Sequence, residues 1–300
     1  MFVRVVGDKI FAYNFVTEPA AFALSEGQGE EVGYCAIASD VSRAVFLTET
    51  DVVCIDRTGL RLWAQPMPHP ASDGPESMFM HLIEFSLDGT VLWNYGEAGD
   101  FDHGSHVTWQ VLDASTGIVL AETKWQSTGF GGSQYVHPDG VHTLLTLSAD
   151  EGFRTYQGRF NGVALEMTRF PLSDRGLLGL SRDGSGMMTV DKDMREVAFH
   201  TYPDGGITGR VRIEDFGESF EETNVGWASG YLDEQAAIVV LVGETDDEQD
   251  WHRAYLVDAL TARVLGPFET QARDVDDVEL LGDGSWVTID EDGNPIRHTR

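Results

Sequence analysis

Lysine is nearly missing from this chain of 300 residues: Lys9, Lys124 and Lys192 are the only three, and arginine supplies the other basic groups. Fifty acidic side chains against 20 basic ones leave a formal net charge of −30. So few cations give no basic face for the phosphates of nucleic acid or for anionic lipid, and neither partner is expected. Two origins fit the charge. One is an acidic, soluble cytoplasmic protein. The other is adaptation to high salt, which screens self-repulsion and predicts a melting temperature that climbs steeply with salt.

Cysteine is scarce too. Cys35 and Cys54 are the only pair, and they fall on runs expected to be the first and third strands of one sheet. Strands two apart lie about 9.5 Å from each other, too far for a disulfide. Free thiols in a reducing compartment, the cytoplasm, are the expectation. No apolar run reaches the roughly 18–20 residues of a membrane span. The opening Met1-Phe-Val-Arg-Val-Val-Gly-Asp carries no charged segment followed by an apolar one, so no secretion signal is expected. Helical periodicity is absent from any stretch of about a dozen residues.

What fills the chain instead is short runs rich in Val, Ile, Leu, Phe, Tyr and Trp, such as residues 44–48, 52–55, 90–95, 106–112, 141–147, 236–242 and 251–257. Turn residues separate them, which reads as nearly all β. The turns recur. Asp40, Asp88, Asp139, Asp183, Asp233 and Asp283 each follow an apolar run, at intervals of 44 to 51 residues and 48.6 on average. Most are Asp-Gly pairs, suited to hairpins because glycine accepts positive φ and Asp tolerates it. A second turn type follows in each unit, at Asp56, Asp113, Asn161, Asp204 and Asp258. Each unit therefore reads as strand a, Asp turn, strand b, loop, strand c, second turn, strand d. A period in this range, with four antiparallel strands per unit, signals a β-propeller. The expected architecture is a single all-β propeller domain over residues 1–300. Six blades are favoured, with seven as the alternative. Residues 33–277 would hold five continuous blades, and residues 1–32 with 278–300 would share the closing one, which removes an exposed sheet edge.

Three segments carry a family resemblance. They are Val53-Cys-Ile-Asp-Arg-Thr-Gly-Leu-Arg-Leu-Trp63, Phe85-Ser-Leu-Asp-Gly-Thr-Val-Leu-Trp93 and Val111-Leu-Asp-Ala-Ser-Thr-Gly-Ile-Val-Leu120. They resemble WD-repeat and quinoprotein-like propeller repeats, with a strand ending in Asp, a Thr-Gly turn and then Val/Leu-Leu-Trp. The resemblance implies the fold and no particular chemistry. The chain departs from the strict pattern, since no paired Trp-Asp end with an upstream Gly-His is present.

The second and fifth units are longer than the rest. From first turn to second they span 29 residues against 19 to 23 elsewhere, which places insertions in the b–c loops at residues 97–105 and 244–250. In a six-bladed ring these would lie half a turn apart. Strand alternation puts b–c loops on the same face as the d–a linkers, which are themselves elaborate at residues 65–77, 126–133 and 214–223. Long loops on a rigid scaffold are where recognition sits. The candidate contact residues are Asp100, Asp102, His103 and His106 in the first insertion, Asp246 and Asp247 in the second, and Trp251 beside it.

These residues do not spell a known site. His103 and His106 have no HExxH motif or cysteine pair beside them, and the acidic run from Glu244 lacks the spacing of a calcium loop. The glycine-rich stretch Gly129-Phe-Gly-Gly132 leads into no helix, which argues against a phosphate cradle. Gly179-Leu-Ser-Arg-Asp-Gly reads as a propeller turn rather than a nucleophile elbow. No metal, cofactor or catalytic group is expected. The reading is a noncatalytic interaction module whose partner is a protein, a basic one being the complement of this charge. Its oligomeric state is left open. Two alternatives stand beside it: a six-bladed metal-dependent hydrolase or lactonase with ligands dispersed around a central channel, and a structural subunit of a larger assembly.

Overall fold

Seven antiparallel sheets account for the strands among the described residues. The computed structural model describes all residues except 1, 7–8, 16–18, 25–31, 33, 49, 68–79, 101–103, 128–130, 150–151, 219–222, 245–249 and 275–276, and describes the backbone alone at 80, 98–100 and 104–105. Two compact units divide the chain: Met1–Asp150 with Tyr156–Arg169, and Glu151–Thr155 with Phe170–Arg300.

In the first unit, β1 (Phe2–Val6), β2 (Lys9–Tyr13) and β3 (Ala20–Ala23) form a three-stranded meander. Next come β4 (Cys35–Ile37), β5 (Arg43–Leu47), β6 (Asp51–Asp56) and β7 (Arg61–Pro66), then β8 (Met80–Phe85), β9 (Val91–Asp100), β10 (Gly104–Asp113) and β11 (Val119–Ser127). The fourth sheet runs across the division between units, with β12 (Gly132–Val136), β13 (His142–Ala149), β14 (Gly152–Phe160) and β15 (Leu165–Ser173). The second unit adds β16 (Arg175–Leu180), β17 (Gly186–Asp191), β18 (Glu196–Thr201) and β19 (Ile207–Arg212). Its next sheet has β20 (Thr223–Val225) and β21 (Gly230–Tyr231) both paired with β22 (Ala236–Glu244), followed by β23 (Asp250–Asp258) and β24 (Arg263–Phe268). The last is β25 (Glu279–Leu280), β26 (Ser285–Ile289) and β27 (Pro295–Thr299). A 3-10 turn lies at Ile213–Phe216, and among the described residues no helix is long and apolar enough to cross a membrane.

By fold class this is a seven-bladed β-propeller, the alternative that the spacing allowed. The favoured count of six is corrected, and with it the shared closing blade. β1 to β3 pair with one another, as do β25 to β27, so each end of the chain makes its own sheet. The period missed this because the first 24 residues already hold three strands, and their Gly7-Asp8 step lies only 32 residues before Asp40. The half-turn argument for the two insertions falls with the count of six.

The recurring aspartates shape the turns as expected. Asp88 Oδ1 accepts from the Thr90 amide at 3.0 Å and from Ser86 Oγ at 2.6 Å, with Gly89 at φ +68°. Asp183 repeats this with the Ser185 amide at 2.9 Å and Ser181 Oγ at 2.7 Å. At the c–d turns, Asp56 accepts from the Thr58 amide, Asp113 from the Ser115 amide and Asp258 from the Leu260 amide, at 2.8 to 3.0 Å. Hydrogen bonds to the ionised carboxylates hold these groups below the ordinary aspartate range. Between the sheets the faces are apolar. Trp93, Tyr95, Trp109 and Leu145 form one core in the first unit, and Val197, Phe199, Val239 and Val257 another in the second. Cys35 on β4 and Cys54 on β6 are free, and burial pushes their thiols up to about 11 and about 12.

Candidate functional site

The first expected insertion turns out to be largely strand, and of the second the described residues are Glu244 and Asp250, each the end of a strand. In the first unit β9 and β10 pair without a break from Val91↔Asp113 to Asp100↔Gly104, so only residues 101–103 remain for the tip. β5 and β6 of the neighbouring sheet pair over five positions, against ten here. At about 3.3 Å per residue the hairpin reaches about 16 Å further at its b–c end. In the second unit β22 and β23 pair over nine positions up to Glu244↔Asp250, with residues 245–249 between them.

That places the expected contact residues as follows. Asp102, His103, Asp246 and Asp247 lie outside the described residues, and the side chain of Asp100 does too. His106 is exposed on β10, opposite Ala98 and Gln126. Trp251 is half-buried and packs against the core between β18 and β22. The Arg253 guanidinium sits 4.8 Å from the centre of its ring, a cation–π contact.

Glu97, expected to open the first insertion, is instead buried at 1% exposure. Its Oε2 accepts from the Tyr95 hydroxyl at 2.6 Å and from the Gly131 amide at 2.9 Å. The glycine-rich stretch thus has a structural use: Gly131, at φ +94°, turns its N–H onto a buried carboxylate. Burial first, then the Glu97 charge, drives the Tyr95 hydroxyl far above its ordinary pKa. Beside it, Asn94 Nδ2 donates to Gln110 Oε1 at 3.0 Å, and Gln110 Nε2 donates to Glu122 Oε2 at 3.2 Å, a polar ladder across three strands.

In the second unit the d–a linker and the long hairpin are clamped together. After the turn at Ile213–Phe216 the chain reverses through Gly217 at φ +82° and presents Glu218. Its Oε1 accepts from the Tyr255 hydroxyl at 2.8 Å and from Arg253. The Phe216 ring packs 5.0 Å from that of Tyr255. Burial pushes the Glu218 carboxyl up, but these two donors outweigh it and hold the pKa below the ordinary value. Trp251, Arg253 and Tyr255 alternate along one face of β23, so a single strand face carries the stack and the clamp.

A second polar cluster was not legible in the sequence. Arg175, at the start of β16, reaches across the sheet to donate to Thr189 Oγ1 at 2.8 Å, Glu196 Oε1 at 3.0 Å and the Glu196 carbonyl at 2.8 Å. Thr189 Oγ1 meets His200 Nε2 at 2.8 Å, and His200 Nδ1 lies 3.0 Å from the Gly205 carbonyl. Burial lowers the pKa of both Arg175 and His200. All of these partners lie within the protein, as expected of a structural latch. Among the described residues no group of three or more His, Cys, Asp or Glu is placed to hold a metal ion.

No protein-family model matches the sequence, and no curated protein does. Solved structures do match in fold. A protein from Bacteroides fragilis provisionally assigned as a 6-phosphogluconolactonase aligns over 97% of this chain and 86% of its own, at 13% identity and a TM-score of 0.59. The Dos1 propeller aligns over 97% and 75%, at 9% identity and 0.53. The WD40 domain of SCAP from fission yeast aligns over 95% and 73%, at 9% identity and 0.50. At such identities the likeness is one of fold alone.

Proposed function

We propose that the protein is a noncatalytic interaction module that binds a protein partner through the end of its sheets bearing the b–c hairpins and d–a linkers. The observation that carries this is the form of the extra chain. Residues added at β9–β10 and β22–β23 are built as paired strands, and in the second unit the linker is fastened to the hairpin by Glu218. Strands already paired before binding lose less entropy on association than a loose loop does. At the opposite end the chain spends little length, on turns closed by their own aspartates.

The contact set on this reading is Asp100, Asp102, His103 and His106 at one hairpin tip and Asp246, Asp247 and Trp251 at the other. The net charge of −30 favours a basic partner and rapid, salt-sensitive association. Two free thiols with raised pKa values suit the cytoplasm. The test is affinity capture from the native host's lysate with the wild-type chain and with a variant whose tips, residues 100–104 and 245–249, are replaced by Gly-Ser links. Glu97 stays in place, since its removal would strand buried donors. A partner held by the wild type and lost by the variant supports the reading. A partner held equally by both moves the binding surface elsewhere, and the absence of any partner counts against a module.

A further inference from the structure

Trp251 was the tryptophan expected at the surface, but Trp227 is the exposed one, at 54%. It sits in a bulge, residues 226–229, that splits the first strand of its sheet into β20 and β21. Buried Ser229 locks the bulge. Its Oγ donates to the Gly226 carbonyl at 2.8 Å and accepts from the Val240 amide at 2.9 Å, while the Gly226 amide donates to the Val240 carbonyl at 2.7 Å. The indole meets the buried Phe153 ring edge to face, at 5.8 Å and 83°. Both rings rest on Gly176, where an added Cβ would lie 3.2 Å from Trp227 Cη2 and 3.3 Å from the Phe153 ring. An exposed indole held this firmly is a preformed contact surface rather than a loose side chain.

The same corner carries an exposed carboxylate. Asp174, two residues before Gly176, has φ +53°, an uncommon conformation for a residue other than glycine. It is approached by Gly152 at φ +129°, where a Cβ would lie 3.1 Å from Asp174 Cβ and 3.3 Å from its Oδ1. Two close approaches are thus made by glycine along this short stretch, Gly152 to Asp174 and, two residues on from Asp174, Gly176 to Phe153 and Trp227. Strained residues of this kind cluster at functional sites. The adjacent Arg175 does not neutralise the corner, because it is buried and bound to Glu196 at 3.0 Å. Arg154, next after Phe153 on β14, alternates to the other face of its strand.

We infer that Trp227 and Asp174 form a seat for an arginine side chain of the basic partner, the guanidinium stacking on the indole and pairing with the carboxylate. This deepens the module reading and rests on it. A planar cation is the occupant that suits both parts: the ring face attracts positive charge, and arginine stacks on aromatics while donating to a carboxylate. The whole chain, at −30, draws such a segment in.

The probe is a hexa-arginine amide peptide, titrated calorimetrically into the full chain at low and at moderate salt, beside Trp227→Ala, Trp227→Phe and Asp174→Asn. Trp227→Ala is expected to weaken binding by about three- to tenfold, with Trp227→Phe keeping most of the affinity. Asp174→Asn should weaken binding and reduce its dependence on salt. Trp227→Phe also gives a second readout: the part of the wild-type fluorescence that it removes should change when peptide binds. Equal affinity for the wild type and Trp227→Ala would overturn the seat and leave only diffuse attraction to the net charge, as would a Trp227 signal that ignores the peptide. These outcomes are separable from failure of the module itself. A lysate partner held by Trp227→Ala but lost on tip replacement would preserve the module and remove the seat.

Discussion

Tyr95→Phe is the sharpest test of where the first hairpin begins. The phenol donates to Glu97 Oε2 at 2.6 Å, and both residues are buried. A hydrogen bond to a charged group contributes about 1.5–3 kcal/mol, so deleting the hydroxyl should destabilise the protein by that amount. Domains of about 150–250 residues lose about 2–4 °C of melting temperature per kcal/mol, which gives a drop of about 3–12 °C. Glu97→Ala should cost more. It strands the Tyr95 hydroxyl and the Gly131 amide together, at about 1–3 kcal/mol for each buried donor. Urea denaturation of both single variants and of the double variant closes a cycle, with a coupling of about 0.5–3 kcal/mol expected between contacting groups. Losses below about 0.5 kcal/mol, the range of surface substitutions, would put Glu97 in water and restore the loop that the sequence suggests.

Gly158→Ala should destabilise by about 1–3 kcal/mol, because the new Cβ would lie 2.4 Å from Cη2 of the fully buried Trp109; an unchanged urea midpoint would refute that packing. Acidification should destabilise in two stages. His200, its pKa depressed by burial, contributes stability that is full above its unfolded value of 6.5 and falls below it. The turn carboxylates act below about pH 4. Asp139 is raised by burial but lowered more by His142 and backbone donors, to about 2, so its contribution is lost as pH falls from 3.8 through that value. His200→Gln should flatten the melting temperature between pH 7 and 5, and a wild type already flat there would refute the first stage. Cys54, buried and pushed up to about 12, should react with a disulfide reagent at pH 8 only as the protein unfolds, and rapid native labelling would contradict its burial.

The sequence made the turns legible because their chemistry is local. Asp88 and Asp183 each bond the amide two residues on, and the signal is contained in five positions. Blade number was less legible, since it depends on how the ends pair, and β1 to β3 make their sheet outside the period that marks the others. The first insertion was found at the right place but given the wrong form. Glu97-Ala-Gly-Asp100 looks turn-like in isolation, yet it pairs with β10 to its end, and the Tyr95 and Gly131 bonds that hold Glu97 come from outside that stretch. Trp227 was not singled out for a related reason. A bulge locked by Ser229 and Val240 is a tertiary event, and nothing around Gly226 separates it from an ordinary inner strand. Arg175 and Glu196 stand 21 residues apart, beyond the reach of any local pattern.

The central claim is that one end of the sheets does the binding, and equilibrium titration of a purified captured partner against three chains tests it most directly. The chains are the wild type, the tip-replaced variant, and Val163→Asp at the opposite end, where Val163 is 83% exposed in the turn between β14 and β15. Affinity lost in the tip variant and kept in Val163→Asp is the predicted result. Affinity kept in the tip variant and lost in Val163→Asp would contradict the account.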